Sequence, residues 1–151
     1  MNIKEVIDTA NDLIETCKDG EYGFRRCGER AAAPRLKQVF SRRADDCQKA
    51  AGELQTIISQ LGGEAEQRGS ALGAVHRGWV SVRDALSGNS DLSVLEECER
   101  GEDAALARYH SALEEALPPH VRNIVERQYE GVKRNHEEIR TLRNEARTAQ
   151  V

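Results

Sequence analysis

The sequence predicts an all-α protein, a bundle of four long helices with one long helical crossover between the second and third. Three observations carry that prediction. Apolar residues recur at spacings of three and four over long runs, as amphipathic helices require. The composition favours helix, being rich in Ala, Leu, Glu and Arg, with only 3 Pro and 4% aromatic residues. No stretch alternates as a half-buried strand would. At 151 residues, the chain is expected to form a single domain over 1–151 with its own core.

The first helix is expected over about 3–32, where the stripe reads Ile3, Val6/Ile7, Ala10, Leu13/Ile14, Cys17, Glu21, Phe24, Gly28 and Ala31. Gly20 and Gly23 each weaken it by roughly 1 kcal/mol relative to alanine, and so mark either a kink or the close approach of a neighbour. Pro34 separates it from the second helix, over about 35–60, because proline lacks the N–H that a helix interior uses. That helix carries Leu36, Phe40, Arg43/Ala44, Cys47, Ala50/Ala51, Leu54, Ile57/Ile58 and Leu61, and Gly62-Gly63 stops it. A shorter amphipathic segment over about 66–87 presents Leu72, Val75, Trp79, Val82 and Leu86. Ser90 or Asn89 then caps a third helix over about 91–117. Pro118-Pro119 ends it, and the last helix, over about 120–148, shows Val121, Ile124/Val125, Gln128, Val132, Asn135, Ile139, Leu142 and Ala146.

The connections order these helices. Short junctions make the first pair and the last pair antiparallel hairpins. The connector of about 30 residues between the second and third can return along the bundle, which leaves those two helices parallel. This is the ferritin-like arrangement with a single long crossover. The same stripes also suit a short segment that extends the third helix, or a coiled-coil hairpin that assembles with other chains.

Composition excludes several function classes. A formal charge of -4 offers no global attraction to nucleic acid or to an anionic membrane. Arg25-Arg26 and Arg42-Arg43 are flanked by acids, as on a solvated helix face. There is no basic and apolar export segment and no apolar run of 18 residues, so a cytoplasmic protein without a membrane partner is expected. Cys17, Cys27, Cys47 and Cys98 form no CxxC pair and read as small buried hydrophobes. His76, His110, His120 and His136 make no HExxH signature. Trp79, beside His76, reads as an anchor of the crossover, and Tyr22, Tyr109 and Tyr129 as packed at the rim. Phosphate loops, nucleophile elbows and dinucleotide fingerprints are absent.

One irregularity bears on function. The inward positions of the third helix run Leu92, Leu95, Glu99, Glu102, Leu106, Tyr109 and Leu113, so two carboxylates stand where a core wants leucine. Because a helix rises 1.5 Å per residue, levels can be counted from the turns. Counting places Glu21, Asp46, Glu99, Glu102 and His136 in one stratum, to within about two turns. A carboxylate layer with histidine is the donor chemistry of iron or manganese, and these five are the candidate metal ligands. Dinuclear bundle sites use Glu-x-x-His on two helices, whereas this chain offers Glu99-x-x-Glu102 on one and Glu126, Glu130 and His136 on the last. Arg25, Arg43 and Arg134 can instead neutralise the carboxylates. A dinuclear site, a mononuclear or adventitious one, and a metal-free polar network are all open, the last being the leading expectation. No residue is assigned a catalytic role.

The chain also resembles the bacterial ferritin-like family catalogued as domain of unknown function 2383. The matching pieces are LIETCKDGEYGF from Leu13 to Phe24, LGG at Leu61–Gly63, HRGW at His76–Trp79, ECERGED from Glu97 to Asp103 followed by Tyr109, and the LPPHV turn. The resemblance implies a four-helix ferritin-like bundle and brings no established activity. General ferritin-like roles would favour Glu21, Glu99, Glu102 and His136 as ligands, and relatives of this kind are stress-associated. The continuous amphipathic stripes together with incomplete catalytic machinery make the expected function a small binding or assembly module that forms a homo-oligomer, with its physiological ligand undetermined. The alternative is a ferritin-like metal-carboxylate protein, acting if an enzyme as a metal-dependent oxidase.

Overall fold

The computed structural model describes residues 1–64 and 90–149. Four helices account for most of them: α1 (Ile3–Arg30), α2 (Pro34–Gln60), α3 (Asp91–Leu113) and α4 (Pro119–Ala149). The crossover helix expected over about 66–87, with His76 and Trp79, lies outside the described residues. Among the described residues no helix is long and apolar enough to cross a membrane.

The helix ends follow local chemistry. Asn2 caps α1 by accepting the Glu5 N–H at 2.8 Å, and Ser90 caps α3 by accepting the Ser93 N–H at 3.1 Å. Pro34 opens α2 without sacrificing a hydrogen bond, since the first N–H of a helix has no partner within it. The third helix stops at Leu113, four residues short of the expected Leu117. Arg122 reaches back there and donates to the carbonyls of Leu113 and Glu115 at 3.0 and 2.6 Å, satisfying oxygens that the helix leaves open.

At the far end of α2, Gly62 adopts φ +80°. Its N–H donates to Ser59 O at 3.1 Å and the Gly63 N–H to Ile58 O at 3.0 Å, a left-handed termination that only glycine enters without steric cost. We therefore expect Gly62→Ala to lower stability by about 1 kcal/mol. Gly52→Ala, in mid-helix with nothing within 4 Å of an added Cβ, should raise it by about as much. Urea unfolding of the two variants checks the opposite signs.

Contacts between elements fix the topology. Asp91, in the first turn of α3, accepts the N–H groups of Ala32 and Ala33 at 2.8 and 3.2 Å, so α2 and α3 start at the same end of the bundle. Farther along, Arg108 on α3 pairs with Asp12 on α1 at 2.8 Å, so α1 and α3 run antiparallel. The cyclic order around the bundle is α1, α2, α4, α3, with parallel α2 and α3 on a diagonal. Of the four neighbouring pairs, α2 and α4 approach least closely. Surface ion pairs span that seam, Arg42–Glu138, Arg35–Glu145 at 3.7 Å and Arg127–Glu53 at 2.6 Å.

The core falls into two apolar clusters. One, near the α1–α2 turn, gathers Phe24, Cys27, Leu36, Phe40, Val94, Leu95, Cys98 and Ile139. The other, toward the opposite end, gathers Val6, Leu13, Ile14, Leu54, Ile58, Tyr109, Val121 and Val125. Polar side chains occupy the level between them. There α1 and α2 approach so closely that a Cβ on Gly20 would lie 3.0 Å from Cys47 Sγ. Of the two roles open to Gly20, close approach is the one it plays.

Candidate functional site

The centre of the polar level is Arg43, on the inward face of α2. It is 4% exposed, and its guanidinium lies over the Phe24 ring at 5.1 Å. Nη1 donates to Asp46 Oδ2 at 3.0 Å, one turn along the same helix. Nη2 donates across the bundle diagonal to Glu102 Oε2 on α3 at 3.4 Å. Glu102 is 2% exposed. Burial pushes its carboxyl up to about 7, against the opposing pull of Arg43 and then His136. Arg43 Nε and Glu102 Oε1 are buried without a hydrogen-bond partner.

Beside this pair, one hydrogen-bonded chain crosses all four helices. The Tyr109 hydroxyl on α3 donates to Gln128 Oε1 on α4 at 2.8 Å, which leaves its oxygen to accept from the Cys17 thiol on α1 at 3.2 Å. Gln128 Nε2 donates to Ala50 O and Glu53 Oε1 on α2, at 3.2 and 3.1 Å. Burial raises the Cys17 thiol to about 11 and raises Cys47 and the Tyr109 phenol as well. At neutral pH all three are protonated, and none is an activated nucleophile.

A cavity of about 390 Å³ lies against these residues. Cys17, Gly20 and Phe24 of α1 form one part of its floor, and Gly101, Glu102, Ala105 and Tyr109 of α3 another. Its mouth opens between α2 and α4, where Asp46, Lys49, Arg127 and Arg134 are exposed. Two causes combine: α2 and α4 stand apart, and small residues, Ala50 on one and Gly131 on the other, line the gap. This volume falls within the range of small-molecule sites.

The five residues expected to share one stratum are placed as follows. Asp46 and Glu102 are brought together by Arg43, and His136 lies close enough to influence Glu102. The His136 ring, however, hydrogen-bonds Asp103 at 2.7 Å. Glu99 sits toward the Phe24 end and pairs with Arg143. Glu21 pairs with Arg25 at 3.3 Å, and Arg25 also holds Asp45 at 3.0 Å. Among the described residues no three His, Cys, Asp or Glu side chains group closely enough to hold one metal ion. The donor set does not fit a dinuclear centre, because a guanidinium occupies the middle of the layer that bridging carboxylates would need.

Several residues of the site escaped the stripe reading. In α3 the fully buried positions are Val94, Leu95, Glu97, Cys98, Gly101, Glu102, Tyr109 and Ala112, while Leu92, Glu99, Leu106 and Leu113 are half-buried. The helix is turned from the face that its leucines mark, so Glu97, 0% exposed and paired with Arg100, is more deeply buried than Glu99. Tyr109 lies in the core rather than at the rim. Arg43 did show a signal: it falls on an inward position beside Ala44 in the second stripe.

Four helices, two antiparallel hairpins and a parallel second and third helix define a ferritin-like bundle. The chain belongs to the family described as a domain of unknown function (DUF2383), whose model matches residues 5–115. Two solved structures share the fold. A Dps1 mutant from Mycobacterium smegmatis superposes with a TM-score of 0.79 at 12% identity, covering 93% of this chain and 96% of that one. A dodecameric thioferritin, the bacterioferritin-related protein of Bacteroides fragilis, gives a TM-score of 0.80 at 14% identity, covering 99% of this chain and 91% of that one. No curated protein matches the sequence.

Proposed function

We propose that this protein is a cytoplasmic, self-associating ferritin-like binding module, which takes a small molecule into the mid-bundle cavity and does not oxidise a metal. The single observation that carries the reading is Arg43, a buried cation in the carboxylate layer with a cavity beside it. A guanidinium there repels the divalent ions that such a layer would otherwise attract. The four free cysteines suit a reducing compartment. Self-association is supported by the dodecameric state named for the Bacteroides fragilis neighbour.

The competing reading, an iron or manganese protein using Glu21, Asp46, Glu99, Glu102 and His136, requires Arg43 to leave the layer. Metal analysis after purification without chelator, followed by aerobic iron(II) oxidation, separates the two. We expect no stoichiometric metal and no oxidation above a Glu99→Ala, Glu102→Ala control. Stoichiometric iron or manganese that the control lacks would overturn the proposal. Light scattering over a concentration series tests assembly, and a monomer at every concentration would reject it.

A further inference from the structure

We propose that the mid-bundle cavity takes an organic carboxylate with an apolar body, its head group held by Arg43. The inference rests on the binding reading above and names the class of ligand. Charge gives the sign. The cavity lining carries four cations, Arg43, Lys49, Arg127 and Arg134, against three acids, Asp46, Glu53 and Glu102. Two of the cations are committed, Arg127 to Glu53 and Arg43 to Asp46. Arg134 and Lys49, at the mouth, make no ion pair within 4 Å among the described residues, although Lys49 acts on Glu53 electrostatically. Burial holds Glu102 half protonated near neutrality, so it cancels less than a full charge. An anion gains from the net positive lining, Lys49 and Arg134 at the mouth and Arg43 within, which Asp46 and Glu102 offset only in part.

Geometry gives the head group. The guanidinium presents two donors, Nε and Nη2, along one edge of its fork, and a carboxylate can accept from both in parallel. In Arg43 that edge is almost unpaired but is covered, with Nε and the neighbouring Glu102 Oε1 closed to solvent. Nε has no partner, and Nη2 has only the long 3.4 Å bond to Glu102. A carboxylate entering the cavity completes this edge once Arg43 turns toward it, and the protonated form of Glu102 can then point its O–H at the ligand. The walls give the body. Phe24, Cys17, Ala50, Ala105 and Val132 supply hydrocarbon and sulfur surface, and the volume of about 390 Å³ far exceeds what an inorganic anion fills.

Equilibrium dialysis at pH 7 with 2-naphthoate and its neutral isostere 2-naphthamide tests the inference. Wild-type protein is expected to hold naphthoate about tenfold more tightly than naphthamide. Gly131→Leu fills the cavity from a position where an added Cβ meets only Arg134 Nη2, at 3.7 Å, and should weaken both probes. The double variant Arg43→Met, Glu102→Gln removes the charges as a pair and should abolish the preference while naphthamide binding persists. Glu102→Gln alone leaves Arg43 less neutralised and should tighten naphthoate, which provides a second reading if the double variant does not fold.

Equal binding of the two probes, both weakened by Gly131→Leu, would overturn the carboxylate inference and leave the cavity reading standing. A preference that survives the double variant, or weaker naphthoate binding in Glu102→Gln, would likewise overturn it. If neither probe binds, or Gly131→Leu changes neither, the binding reading falls as well.

Discussion

Replacing Arg43 with methionine is expected to lower the unfolding free energy by up to about 2 kcal/mol more at pH 8.5 than at pH 5. Methionine preserves most of the side-chain volume over Phe24, so the packing loss is small. What changes is the environment of Glu102. Above neutrality the wild-type carboxylate has Arg43 at 3.4 Å; without it the buried carboxyl loses its ion-pair partner and holds its proton to higher pH. At pH 5 Glu102 is protonated in either protein, because its carboxyl titrates at about 7 even with Arg43 present. Asp46 does not add to the penalty, since it is exposed to water. Urea unfolding at the two pH values measures both losses, and an equal loss at pH 5 and 8.5 would refute the assignment.

Glu102→Gln should flatten the pH dependence of stability. The folded carboxyl titrates at about 7 and the ordinary carboxyl at 4.5. Between those values the folded chain keeps a proton that the unfolded chain has released, so stability falls as pH rises through the window. The loss contributed by this one group is on the order of 3 kcal/mol, complete above pH 7 and absent below pH 4.5. Glutamine cannot ionise and does not incur it. The variant should therefore gain on the wild type progressively from pH 5 to pH 8. Parallel stability curves across that range would show that Glu102 is not the titrating group.

The fold was legible because helix periodicity is local and the connections are strongly unequal in length. Ser90, Pro34 and Gly62-Gly63 announce their roles through backbone chemistry that needs no tertiary context. The polar level was found by counting, since the rise per residue is fixed; thus Asp46, Glu102 and His136 fall near one another. Rotation about a helix axis is less well determined. In α3 the leucines at 92, 106 and 113 suggest one face, but packing against α1 and α4 buries Val94, Cys98 and Ala112 instead. That turn carries Glu97 inward and Glu99 toward the rim. The cavity was not legible at all, because it arises from the distance between α2 and α4 rather than from either stripe. The second stripe places Arg43 inward, but the Arg42-Arg43 doublet flanked by acids reads as a solvated face, so the sequence offers Arg43 only as a neutralising neighbour of the layer it centres.

The Arg43–Glu102 pair joins α2 of one hairpin to α3 of the other, so neither hairpin contains both charges. Apolar surfaces are tolerant of sliding, since one leucine packs nearly as well as the next. A slip of one hairpin past the other by a single turn, about 5.4 Å, would leave much apolar area still covered. It would also strand a guanidinium and a carboxylate separately in the core, at a cost that no regained hydrocarbon contact offsets. The pair thus acts as a registration pin beside the other polar contacts between the hairpins, Asp91 with Ala32 and Ala33 and Gln128 with Ala50 and Glu53: the apolar stripes decide that the hairpins adhere, and these polar partners decide at which level they stop.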